Sequence, residues 1–159
     1  MKLGEALRDL KKLQNKLVRK LKLREDTFYI GKNKTIVIAF GKITEEINAL
    51  ILQIRELKLD IEYNNITSFL NFKGETVSIA ELIIRMGDLK SELKQLGVMP
   101  KSRHFLYEKE EDAKIPQLNE IEIADRIEAL EKQKDDLDKA LQNANWTNDL
   151  KSRKNIKFT

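Results

Sequence analysis

The chain has 159 residues, 41% of them hydrophobic, 35% charged and 6% aromatic, with a net charge of +4 and no cysteine. This balance suits one mainly helical domain with a real core, and it excludes disulfides, thiolate zinc sites and cysteine nucleophiles. The longest purely apolar run, Ile36 to Phe40, is far short of the roughly 18 residues a membrane-crossing helix needs, and Arg8, Asp9, Lys11 and Lys12 interrupt any leader-like segment. The expected setting is therefore cytoplasmic.

The first periodic segment places Leu3, Leu7, Leu10, Leu17 and Leu21 on one stripe, with Gln14 in an apolar slot, and predicts a helix over residues 3–25. Thr27 to Ile30 and Thr35 to Phe40 are β-branched and aromatic about a Gly31-Lys32-Asn33-Lys34 turn, which predicts a β-hairpin over 27–40. Ile43, Ile47, Leu50, Ile54, Leu57 and Ile61 alternate steps of four and three, the cleanest heptad pattern in the chain, and predict a helix over 43–64. The link from Asn65 to Val77 holds Phe69, Leu70 and Phe72 and is expected to fold back onto the helices.

A third helix is predicted over 79–96, from Ile79, Leu82, Met86, Leu89, Leu93 and Leu96. Ser78 with Glu81 reads as its capping box, Val77 with Leu82 as a hydrophobic staple, and Gly97 as a C′ residue suited to left-handed backbone angles. Arg103 to Tyr107 and Ala113 to Gln117 flank a charged turn and suggest a second ribbon over 103–117, with Pro116 confining it to an edge. Ile123, Ile127, Leu130, Leu137 and Leu141 predict a fourth helix over 120–143, with Asn119 and Glu122 to cap it. The expected class is mainly α: an antiparallel bundle of four long amphipathic helices in a single domain, with one or two short β-hairpins in the connections. Isolated helices of this length are marginal in water, so packing has to stabilise them.

Charge is segregated along the chain. Residues 1–24 carry nine Lys or Arg against Glu5 and Asp9, whereas residues 108–138 carry twelve Asp or Glu against five Lys or Arg. A basic helix can draw phosphate by counterion release. Equal and opposite helices can also select one another, within a subunit or across an interface, and the lack of aromatics interleaved with the bases favours that reading over nucleic acid. The basic tail Lys151-Ser152-Arg153-Lys154 reads as a frayed end.

Candidates for chemistry are few. His104 is the lone histidine, so histidine clusters are unavailable, and beside Phe105 it reads as structural. Phosphate-loop, dinucleotide and nucleophile-elbow patterns are absent. Asp125 with Glu128, and Asp135 with Asp138, are a helical turn apart, as on any solvated helix face. Gln14 and Lys134 in the apolar stripes are candidates for setting register, although a long lysine more often snorkels to water. Gly87 within the third helix reads either as a close backbone approach or as simple tolerance. Trp146 reads as a cap on the core or an interface rather than a binding platform.

Several ordered pieces resemble one family. Met1-Lys2-Leu3 with Glu5-Ala6-Leu7, Ile61 to Asn65, Gly74-Glu75-Thr76 leading into Ala80-Glu81-Leu82-Ile83 with Arg85, then Leu137-Asp138 and Asn145-Trp146-Thr147 are similar to the septicolysin-like family of small helical proteins. The resemblance spans most of the chain, except Thr35 to Phe40 and the basic tail, and it implies no catalytic, cofactor or metal residues. Its name implies a cytolysin, for which the 27–40 hairpin would be the membrane element, and only after oligomerisation into a closed structure.

The function expected from these observations is that of a non-enzymatic, self-associating helical scaffold or interaction protein, a homo-oligomer with no cofactor. Two alternatives are a pore-forming protein using the 27–40 hairpin and a nucleic-acid-binding protein using the basic first helix. Neither membrane nor nucleic acid is the favoured partner.

Overall fold

The computed structural model describes residues 1–32, 34–35, 38–99 and 117–155. It is mainly helical: α1 (Leu3–Asp26), α2 (Phe40–Thr67), strands β1 (Phe69–Phe72) and β2 (Glu75–Ser78), α3 (Ile79–Leu96), α4 (Glu120–Thr147) and a closing 3-10 turn at Arg153–Asn155. The four long helices and a hairpin in a connection are those of the expected class. Two compact units divide the chain, one of Met1–Ser68 with the residues from Ala144 onward, the other of Phe69–Asn143.

In the first unit α1 and α2 pack as an antiparallel helical hairpin. Lys20 near the end of α1 pairs with Glu46 near the start of α2, and its hydrogen bond and charge hold the Glu46 carboxyl below the usual carboxylate range. The heptad stripe of α2 buries Ile43, Ile47, Leu50, Ile54 and Ile61, each contributing roughly 2 kcal/mol from apolar burial. Along α1 only Leu3, Gly4 and Ala6 are fully buried. Gly4 packs tightly there: a Cβ would sit 3.2 Å from the Trp146 ring and from the Asn145 carbonyl, closer than most side chains approach a neighbour.

The C-terminal segment closes one end of this unit. Leu3 N–H donates to the Asn148 carbonyl (3.0 Å) and Leu150 N–H to that of Met1 (2.8 Å), so Lys2 and Asp149 form a short antiparallel bridge. Asn64, 1% exposed, donates to the carbonyls of Asp60 (2.8 Å) and Lys151 (2.7 Å) and accepts from Lys151 N–H (3.0 Å). Arg153 follows with its N–H on the Asp60 carboxylate (3.0 Å) and its guanidinium on Glu56 (3.1 Å). The basic tail is therefore docked on α2 rather than frayed, because Glu56, Asp60 and Asn64 rise along one helix face to meet it.

In the second unit β1 and β2 pair antiparallel, Phe69 opposite Ser78 and Phe72 opposite Glu75. The two-residue turn Lys73-Gly74 has positive φ at both positions, 51° and 89°, the conformation that matches the twist of a tight hairpin. Val77 points inward with Leu82, Met86 and Leu137, and Leu70 and Phe72 pack against that cluster. Ser78 caps α3 by accepting from Glu81 N–H (3.1 Å), while the Glu81 carboxylate turns to Arg85 (2.7 Å). Asn119 and Glu122 complete a reciprocal box at the start of α4, at 2.9 and 2.8 Å.

Several local expectations are corrected. The 27–40 hairpin is not formed among the described residues of that stretch, none of which is in a strand. Lys34 N–H closes on the Gly31 carbonyl (2.9 Å), Thr27 and Phe28 N–H bond back to Leu23 and Glu25 at the end of α1, and Phe40 belongs to α2. The strands lie instead at Phe69–Phe72 and Glu75–Ser78, in and just past the link over 65–77. Gly97 is right-handed (φ −67°, ψ −15°), so its role as a left-handed C′ residue fails. α2 begins three residues before the predicted 43 and ends three after 64, and α4 runs four past 143. The ribbon over 103–117 lies outside the described residues save for Gln117.

Candidate functional site

The end of the α1–α2 hairpin opposite the C-terminal clamp is open and apolar. Thr27 terminates α1, its hydroxyl donating to the Leu23 carbonyl (2.7 Å), and Phe28 N–H bonds back to Glu25 (3.2 Å). This turn throws Phe28, Tyr29 and Ile30 outward, with Tyr29 88% exposed, while α2 starts at an exposed Phe40. Phe28 sits edge-on to Tyr29 (centroids 5.0 Å apart, planes at 89°) and to Phe40 (5.8 Å, 69°), and the Arg24 guanidinium lies 5.7 Å over the Phe40 ring. With Val18 (64% exposed), Leu21, Lys22 and Glu25, these residues line an open groove of about 760 Å³.

The groove is apolar in its floor and basic in its surroundings. Residues 16–42 contain eight Lys or Arg and only Glu25 and Asp26 as acids. A smaller cleft of about 370 Å³ continues the theme along the helix pair, between Leu17, Ile51, Ile54, Leu59 and the cations Arg55 and Lys58. Such a surface offers aromatic anchors, a cation-π clamp and positive charge, which together can hold an apolar, acidic partner.

The second unit has a cleft of about 430 Å³ between Phe72, Lys73, Arg85, Leu89 and Gln133. Its cations are matched in place: Arg85 holds Glu75 (3.0 Å) and Glu81 (2.7 Å), which raise its pKa further, and Lys73 holds Asp136 (2.8 Å), keeping that carboxyl below the usual range. By contrast, the start of α4 leaves Leu118 and Ile121 exposed, the latter at 72%, among Glu120, Glu122, Asp125 and Glu128.

The residues singled out by the sequence separate into structural and solvated ones. Gln14 is exposed, so its slot is not a buried register position, and Lys134 is half-buried beside Asp135 at 3.8 Å. A Cβ on Gly87 would meet nothing within 4 Å, which favours tolerance over a close backbone approach. Asp125, Glu128, Asp135 and Asp138 are all exposed, and Asp138 accepts from the Gln142 amide (2.7 Å). His104 lies outside the described residues. No group of three or more His, Asp or Glu among the described residues is placed to hold a metal ion. The rings of the open tip carried a signal in the sequence, an aromatic cluster beside a Gly-Lys-Asn-Lys turn, but alternation suggested strands and hid their exposure.

The profile of DUF6847, a family of unknown function, matches residues 4–150. The chain belongs to this family. No curated protein matches it. Among solved structures, a functionally unknown conserved protein from Corynebacterium diphtheriae is similar, with a TM-score of 0.78 and 20% identity over 95% of this chain and 99% of that one. At that identity the likeness concerns the fold alone. The DUF6847 match takes in both units, the groove and the start of α4. No helix of this family member is long and apolar enough, among the described residues, to cross a membrane.

Proposed function

We propose that this DUF6847 member is a non-enzymatic, self-associating helical scaffold working in the cytoplasm. The observation that carries the reading is the open end of the α1–α2 hairpin, where Val18, Phe28, Tyr29 and Phe40 stand in solvent beside a groove. Contiguous apolar surface of this kind, rich in aromatics and rimmed by charge, marks interaction sites, and aromatic side chains dominate interface energetics.

A septicolysin-like relationship is part of the same proposal. The pieces that carry it are folding determinants. Lys2 and Leu3 meet the segment after Trp146 at the clamp, Asn64 holds Lys151, and Glu75 pairs with Arg85 beside the hairpin turn. They support a shared scaffold rather than a shared lytic step. Light scattering across a dilution series tests the reading. Mass above that of one chain, falling on dilution below the micromolar range, is expected, and a monomer at every concentration would end it.

A further inference from the structure

The groove and the start of α4 are both exposed and apolar, and they carry opposite charge. We propose that the groove of one chain takes the start of α4 from a second copy, with Leu118 and Ile121 as the anchors. This inference rests on the self-association reading and gives it an interface. Leu118 lies just ahead of the Asn119 cap and Ile121 in the first turn of α4, and both side chains are exposed, so the start of the helix offers two apolar anchors to a groove. Around them stand Glu120, Glu122, Asp125 and Glu128, whereas the groove is lined by Lys22 and Arg24 against the single acid Glu25.

Charge also decides between pairings. Groove against groove brings two basic collars together, and α4 start against α4 start brings two acidic ones; each is penalised by like charge. The mixed pairing is favourable in both its apolar and its electrostatic parts.

The chain has no cysteine, so single thiols can be introduced without background. Leu21→Cys and Ile121→Cys are made in separate chains of different tagged mass, mixed and mildly oxidised; a disulfide between the two variants, in several-fold excess over either homodimer, is expected. This mixture reports contacts between chains only. In parallel, Lys22→Glu with Arg24→Glu is expected to weaken association about tenfold or more, and Glu120→Lys with Asp125→Lys to restore it in the combined variant. All these sites are on the surface, and an unchanged circular dichroism spectrum checks that the variants fold. Association without the mixed disulfide or the charge rescue would overturn this interface while leaving self-association standing. A monomer mass throughout would remove both. Binding to phosphatidylserine vesicles that is lost in Lys22→Glu/Arg24→Glu, with no mixed disulfide, would overturn the occupant in favour of anionic lipid.

Discussion

The two ends of the α1–α2 hairpin are built on opposite plans. At one end Leu3 is 0% exposed, Gly4 lies against Trp146, and backbone groups from Met1 to Lys151 find partners across the chain. At the other, Val18, Phe28, Tyr29 and Phe40 are exposed within the same pair of helices. The difference teaches that one amphipathic helix can bury its first turn in the fold and leave its last turns open to solvent. Hydrogen bonds over long sequence separations lock the closed end, whereas the open end is shaped by local turns and ring contacts.

The largest test of this contrast is Leu3→Ala, which leaves a cavity at the closed end and should cost about 3 kcal/mol in urea unfolding. Asn64→Leu keeps similar bulk but leaves the Lys151 amide and carbonyl without their partner, for about 2 kcal/mol. If either variant unfolds like the parent, the clamp does not hold the fold.

Acid provides a graded way to loosen the same end. Hydrogen bonding and charge from Lys154 lower the pKa of Glu56, and those from Lys2 lower that of Asp149. Because both folded-state values are depressed, their stabilisation is complete above the ordinary carboxylate range and is lost as pH falls below about 4 through the lowered values. Protection of the Leu150, Lys151 and Arg153 amides, relative to their intrinsic exchange rates at each pH, should therefore be lost in acid before protection within α2, and parallel loss in both would contradict the assignment. The smallest effect on stability belongs to the tip: Val18→Ser should shift unfolding by no more than about 0.5 kcal/mol while weakening association. A large stability loss there would mean that the tip belongs to the core after all.

How much could be read in advance differs from element to element. The α2 stripe was legible because Ile43, Ile47, Leu50, Ile54 and Ile61 repeat at helical steps and all are buried. The starts of α3 and α4 were legible because Ser78 and Asn119 reach amides only three residues away. The docked tail was not, although the four-residue steps Glu56, Asp60, Asn64 hinted at an acceptor face, because its partners lie 87 to 97 residues distant. The tip was misread because aromatic and β-branched residues suit a strand as well as an exposed apolar surface.

By itself, then, the sequence determined the four helices, the N-caps of α3 and α4 and the separation of charge, since periodicity and capping depend on near neighbours in the chain. Tertiary structure alone decided which leucines of α1 are buried, that the hairpin forms at Phe69–Ser78, and that the aromatic end stays open. Periodicity marks which face of a helix is apolar, but whether that face is covered depends on what the rest of the chain brings to it.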